Sequence, residues 1–386
     1  MLLAGCRPPA ATSQAPLVIA AYGSIDSVDP AQATTVIALQ LISALGDPLY
    51  AIDEQGTIQP KLARELPKLS GDGLTATIPL RQGVLFHDGT PFDAEAMAFS
   101  LRRFLAIGKL SYVVGDRISA VRVTGPYELE LDLRRPFSPL AKLLSFASLT
   151  PISPTAYAKH ADQFLHDRFV GTGPYRLTSF NEHQQRLEPF EKYWGETPTN
   201  DGLDLITLSN STALYGALRS GEVDVLLSPS IDEDQRHALH QQASAGQIRE
   251  AIGPATEIGY ITLLSNAKPL QDPRLRRALA LSLNRREISE RVSYGLREPL
   301  RSLTPPSLRS GGGSSWPSHN PAEARTLLNA AGYCNGRPLA LPLTFRSNVP
   351  ADKLLALTWQ AQLQRDLPDC ILLNLDGVES TTIYRQ

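Results

Sequence analysis

The sequence predicts an α/β protein with a parallel sheet and more than one lobe. Two strand-helix-strand patterns carry the first part of that expectation. Leu203 to Leu208 reads as a strand, Thr212 caps a helix through Arg219, Ser220-Gly221-Glu222 stops it, and Val223 to Leu227 is the next apolar strand. Leu339 to Phe345, Ala351 to Leu367 and Ile371 to Leu375 repeat the order, and right-handed crossovers place those last two strands side by side or nearly so. The length supplies the second part: at about 100 to 200 residues per domain, 386 residues predict two or three lobes.

The chain opens with Leu17 to Tyr22, a short apolar run that feeds a loop at Gly23-Ser24. Between Gln32 and Leu45, apolar residues at Val36, Leu39, Ile42 and Leu45 fall near helical spacing. Thr75 to Leu80 alternates as a half-buried strand, and Gly83 and Asp88-Gly89 supply turns. Asp93 precedes Ala94 to Phe99, so its carboxylate can accept from the free N–H groups of a first helical turn. Val121 to Leu133 reads as two strands about Gly125-Pro126, and Pro136 with Pro139 ends that hairpin before a short helix. Residues 50 to 165 thus form a compact α+β segment. Strands at Tyr175 to Phe180 and Gln185 to Pro189 follow the sharp turn Gly171 to Tyr175, and Thr304 to Pro317, rich in Pro, Gly and Ser around Gly311 to Ser315, reads as a surface loop within a lobe.

Composition excludes several classes. Hydrophobic residues make up 42%, charged residues 20%, and the net charge is -2, the profile of a globular domain rather than a disordered chain. A nucleic-acid binder needs a dense basic face, which 37 basic against 39 acidic residues do not supply. No apolar run approaches the ~18 residues of a membrane span. Thirty prolines imply many rigid turns between short elements.

The three cysteines, Cys6, Cys334 and Cys370, form no CxxC and no zinc-spaced cluster, so no metal is expected. Leu3-Ala4-Gly5-Cys6 resembles the lipobox at which a bacterial lipoprotein signal is cut and the cysteine lipidated, and Arg7 to Pro16 has the composition of a tether. Only five residues precede Cys6, with no basic segment before them, so the true start is expected upstream.

Catalytic motifs are missing: no GxSxG, HExxH, Walker-type GxxxxGK[ST] or complete GxGxxG occurs. Gly171-Thr172-Gly173 is followed by Pro174 and reads as a rigid turn, not a dinucleotide loop. His237 and His240, after Asp232, Glu233 and Asp234, read as a solvated helix face rather than a metal site. Neither an enzyme nor a cofactor is expected.

Several segments in order resemble the family-5 extracellular solute-binding proteins, receptors of ABC importers for dipeptides, oligopeptides, nickel and related ligands. They are Asp29-Pro30, Leu49-Tyr50 and Ile58 to Ala63; Leu80-Arg81-Gln82-Gly83-Val84-Leu85-Phe86-His87-Asp88-Gly89-Thr90-Pro91-Phe92, the most specific; Gly171 to Tyr175; Tyr193-Trp194-Gly195; Ser220 to Asp224; Arg274 to Arg285; and Ala322 to Tyr333. The resemblance implies a two-lobe fold like that of type II periplasmic binding proteins. Lobe one would comprise 16–49 with 166–245, 50–165 would be a subdomain inserted into it, 246–386 would be a partial lobe two, and 1–15 a signal remnant and tether. Family members run on past Ile371 to Leu375, so the second lobe is expected to be incomplete at Gln386.

The implied function is a lipid-anchored periplasmic receptor, monomeric, that captures peptides between closing lobes and hands them to a membrane permease. It would touch the membrane only through Cys6 and bind no nucleic acid. Nickel, opine or sugar capture, an exported hydrolase and a sensor domain are the alternatives. Ligand contacts are expected at Tyr22, Gly23, Ser24 and Ile25 and at the strand end Thr262, Leu264 and Asn266, with Gly171 to Tyr175 as hinge-side scaffolding. Cys334 and Cys370 each sit just before a parallel strand of one βαβ unit, at the same sheet edge. Strands lie about 4.8 Å apart and disulfides need Cα atoms about 4.4 to 6.8 Å apart, so a bond is expected in an oxidising periplasm, two buried thiols being the alternative.

Overall fold

A computed structural model describes residues 15–25, 27–227, 231–253, 258–300, 302–304, 316–347 and 349–378. Cys6 and Gly311 to Ser315 lie outside the described residues. The chain divides into two compact units, Met1–Ile231 and Asp232–Gln386.

In the first unit, β1 (Leu17–Tyr22) leads to α1 (Val36–Leu45). The helix starts four residues after Gln32 because the Gln32 and Ala33 N–H groups both donate to the Asp29 carbonyl, and Thr35 Oγ1 then accepts from Ala38 N–H as the cap. β2 (Tyr50–Ile52) and β3 (Ile58–Pro60) pair antiparallel. β4 (Lys68–Leu69), β5 (Thr75–Pro79), α2 (Ala94–Ile107), α3 (Ser111–Gly115), β6 (Ile118–Gly125) and β7 (Glu128–Leu133) follow. Their strands form an antiparallel sheet ordered β4-β5-β7-β6. Alternation along β7 sends Leu129, Leu131 and Leu133 inward, where they meet Met97, Leu101 and Phe104 from one face of α2. Asp93 Oδ1 accepts from Ala96 N–H at 2.9 Å, which starts α2 as its sequence requires.

After α4 (Leu140–Leu143) and α5 (Pro154–Tyr157) come β8 (Tyr175–Asn181), β9 (Gln184–Pro189), β10 (Leu203–Leu208), α6 (Ser211–Ser220) and β11 (Val225–Leu226). They build a mixed sheet ordered β11-β1-β10-β9-β8, with β1 parallel to both β10 and β11. The α6 crossover therefore spans β1. Asn210, not Thr212, caps α6, because the helix begins at Ser211 and encloses Thr212, whereas Asn210 lies just outside it and accepts from Ala213 N–H at 2.8 Å. Gly221 ends the helix with φ 76°, a conformation a Cβ disfavours.

Two buried charge networks fasten this unit. Arg103 from α2 grips Asp29 with Nη1 to Oδ1 at 2.8 Å and Nη2 to Oδ2 at 2.6 Å, both side chains being almost inaccessible. The Asp29 carboxylate also accepts from Ala31 and Leu165 N–H. Asp47, at the end of α1, accepts from Trp194 Nε1 at 2.8 Å and Tyr193 Oη at 3.2 Å and pairs with Lys61 at 3.0 Å, while Arg81 stacks on the Trp194 ring. Burial, then the neighbouring Asp47 charge, hold the Tyr193 phenol above its usual pKa, so it stays a donor.

The second unit contains α7 (Glu233–Ser244), α8 (Pro273–Ser282), α9 (Arg285–Ser293), α10 (Pro321–Ala330), β12 (Leu339–Arg346), α11 (Pro350–Asp366) and β13 (Ile371–Val378). β12 and β13 pair in parallel over eight residues, Leu339 opposite Ile371 through Arg346 opposite Val378. Leu275, Leu279, Leu328, Trp359, Leu363 and Leu373 meet in its core. Cys334 and Cys370 are joined by a disulfide, both sulfurs inside that core. α7 packs on α9: Tyr294 Oη donates to Asp234 at 2.6 Å and Arg297 Nη2 to Glu233 at 2.5 Å.

Candidate functional site

In open α/β sheets, ligands bind outside the carboxyl ends of parallel strands, where connections leave in different directions. In the first unit those ends belong to β1, β10 and β11. Tyr22 closes β1 opposite Leu208 of β10, and its side chain is 45% exposed. Gly23 then takes φ 107°, open space surrounds the place a Cβ would occupy, and its N–H donates to Leu208 O at 3.3 Å. The glycine is needed for backbone conformation rather than for lack of room. Ser24 is exposed.

Ile25 is fully buried among Val28, Leu41 and Ile42 and gives its side chain to the core. Only its backbone serves the loop, the N–H donating to Glu182 O at 3.1 Å. Glu182 lies in the turn between β8 and β9, which Asn181 fixes by accepting from His183 N–H at 2.9 Å and Gln184 N–H at 2.8 Å. The sequence pattern marks only the two strands on either side of that turn. Its support of the loop at Tyr22 to Ile25 joins residues 157 positions apart and has no local signature.

In the second unit, Thr262 to Asn266 is not a strand end: none of its described backbone groups enters a ladder, and Leu264 O accepts from Ala267 N–H at 3.1 Å to close a turn through Ser265 and Asn266. Ile261 and Leu263 pack on the core, whereas Thr262, Leu264 and Asn266 are exposed. Asn266 O accepts from Gln271 Nε2 at 2.9 Å.

Gly171 to Pro174 sits against the end of α1. A Cβ on Gly173 would lie 2.4 Å from Gly46 N, and one on Gly171 would lie 2.7 Å from Leu45 O, so both close approaches demand glycine. His87 clasps this turn. Its Nδ1 accepts from Gly171 N–H at 3.3 Å and its Nε2 lies 3.1 Å from Gly173 O, which fixes the neutral tautomer with hydrogen on Nε2. Burial, opposed by the bond to Gly173, pushes the imidazole pKa down to about 4.

His237 stacks on Tyr294 at 4.2 Å, and His240 Nδ1 lies 2.7 Å from Glu250. Among the described residues no group of three or more His, Cys, Asp and Glu side chains could hold a metal ion. No helix among them is long and apolar enough to cross a membrane.

The sequence model of the bacterial extracellular solute-binding proteins, family 5 Middle, matches residues 57–382. The glutathione-binding protein GsiB of Salmonella paratyphi A is 29% identical over 354 residues, covering 90% of this chain and 67% of the relative. Among solved structures, NikA from Brucella suis in complex with Fe(III)-EDTA superposes with TM-score 0.82 at 23% identity, over 96% of this chain and 76% of that one. The Escherichia coli murein tripeptide binding protein MppA gives 0.78 at 20% identity, over 97% and 77%.

Proposed function

We propose, because the chain belongs to the bacterial extracellular solute-binding proteins, family 5, that it captures peptides and delivers them to the permease of an ABC importer. Its fold is that of the type II periplasmic binding proteins, and it is a solute-binding protein rather than an enzyme. Family members bind small solutes and serve ABC permeases outside the cytoplasm. The peptide reading rests on one observation, the 29% identity to a glutathione-binding protein over most of this chain. The likeness to a murein tripeptide binder agrees with it in fold.

Tyr22, Gly23, Ser24 and the Ile25 backbone in the first unit, and Thr262, Leu264 and Asn266 in the second, are the contact residues of this reading. Extended peptides suit such segments because main-chain groups pair whatever the side chains are. Cys6 would anchor the protein to the membrane from the periplasmic side. The test is a thermal-shift screen with glutathione, di- to pentapeptides, nickel chelates, opines and sugars. A peptide at 100 times its Kd adds about 2.7 kcal/mol to stability, a clear rise in Tm. A shift with a chelate or sugar and none with any peptide overturns the reading.

A further inference from the structure

We infer that Thr207 and His183 are positioning residues for the loop Tyr22 to Ile25, acting through one hydrogen-bond chain that ends on its backbone. The inference rests on the reading of that loop as a ligand contact. Thr207 lies on β10 in register with Ala21, the residue before Tyr22, and is buried. Its backbone N–H donates to His183 O at 2.9 Å. Its Oγ1 lies 3.2 Å from His183 Nδ1 and 3.5 Å from Glu182 O, the second contact at the outer limit of a hydrogen bond. The same Glu182 carbonyl accepts from Ile25 N–H at 3.1 Å.

One polarity satisfies every group. With hydrogen on Nδ1, His183 donates to Thr207 Oγ1, the Thr207 hydroxyl donates to Glu182 O, and Ile25 N–H donates to the second lone pair of that oxygen. If the hydroxyl turned instead toward His183, Glu182 O would keep Ile25 N–H alone, and the turn would lose its side-chain tie to β10. Polarised in one direction, such chains reinforce each member. The chain therefore fixes where the loop leaves the sheet. Gly23 to Leu208 holds the near end of the loop, and Glu182 holds the far end, so Ser24 is presented between two anchors.

None of this is needed to build the sheet. The β1–β10 ladder uses backbone groups only, and Val at 207 keeps the branched shape β10 requires. A purely structural hydroxyl would show itself in the stability of the ligand-free protein, whereas a positioning hydroxyl shows itself in binding.

The experiment measures glutathione binding by calorimetry, with Tm of the free protein and hydrogen exchange at the Ile25 amide, for the wild type, Thr207→Val, Thr207→Ser, His183→Ala and the Val/Ala pair. Thr207→Val and His183→Ala are each expected to weaken binding about fivefold, the worth of one net hydrogen bond. Tm of the free protein should hold, and Thr207→Ser should restore affinity. The pair should lose no more than the worse single variant, because both cut one chain. Unchanged affinity in Thr207→Val, failed rescue by Ser, or additive losses overturn the inference. If the wild type binds neither glutathione nor any peptide, the peptide reading falls, and exchange still decides the chain. Ile25 should exchange about fivefold faster in Thr207→Val and return to normal in Thr207→Ser, and equal rates in all three overturn it.

Discussion

The two units are fastened by different physics. The first is tied by buried charges between residues far apart in sequence: Asp29 with Arg103, 74 positions on, and Asp47 with Trp194, 147 positions on. Among the described residues of the second, no ion pair has both partners buried, and one of the ties between distant residues is covalent, Cys334 to Cys370 across 36 positions. A buried charge pair specifies one arrangement but leaves a stranded ion when one partner is lost. A disulfide instead acts in large part by restricting the unfolded chain. The first unit should therefore fail at single residues, the second under reduction.

Arg103→Met gives the largest expected effect. It leaves Asp29 buried and uncompensated, which costs about 3 to 5 kcal/mol. Hydrogen exchange should accelerate by roughly two to four orders of magnitude in α1 and α2 and not in α8 or α11. Equal acceleration in both units would break the contrast. Next, replacing both Cys334 and Cys370 by Ala, or adding dithiothreitol, should cost roughly 2 to 4 kcal/mol. The loss should appear in β12, β13 and α11 and leave β5 to β7 unchanged. A disulfide removal that loosened β1 and α2 would show that the first unit borrows its stability.

The fold was more legible than the site, for a physical reason. Period-two alternation in β7 and the Asp93 cap are local signals, carried by residues within one element of each other. Gly171 and Gly173 were visible as a turn, yet the reason for them, a backbone approach to Leu45 and Gly46, lies more than 120 positions away. Val36, the first apolar residue of the helical period, is where α1 begins, whereas the turn before it, in which Asp29 O accepts from the Gln32 and Ala33 N–H groups, is an event no helical period records. The loop after β1 could be named from its place, but the buried Ile25 side chain, and the turn that braces it, depend on contacts between distant segments. The strand end expected at Thr262 to Asn266 came from the family resemblance, and the residues themselves carry no alternation that would supply a ladder partner.

pH sharpens the comparison through His87. The unfolded imidazole protonates near 6.5 and the folded one near 4, so between those values the unfolded chain binds more protons. Stability of the first unit is thus full above pH 6.5, falls as pH drops through 6.5 toward 4, and changes no further from this group below 4. The total is up to about 3 kcal/mol, at 1.36 kcal/mol per pH unit. His87→Asn should flatten that part of the slope in the first unit alone, as read from denaturant midpoints followed at Trp194. A slope unchanged in His87→Asn would assign the acid sensitivity to other groups.

The smallest effect tests the other side of the contrast, that surface charges in the second unit are individually weak. Arg277 on α8 meets Glu323 in the first turn of α10 at 2.8 Å, and both side chains are exposed. Solvent screens the pair, and holding two long side chains in one geometry costs entropy, so such pairs give about 0 to 1 kcal/mol. Glu323 also lies near its helix N-terminus, where the backbone dipole favours a carboxylate without any partner. Arg277→Ala should therefore lower stability by under about 1 kcal/mol at low salt and by nearly nothing at 1 M, where the Debye length is about 3 Å. Glu323→Ala should cost more than Arg277→Ala, because it removes the dipole contact and the bond from Asn320 Nδ2 as well as the ion pair. If the two substitutions cost the same and both losses persist at 1 M salt, packing of α8 on α10 rather than charge holds that face together.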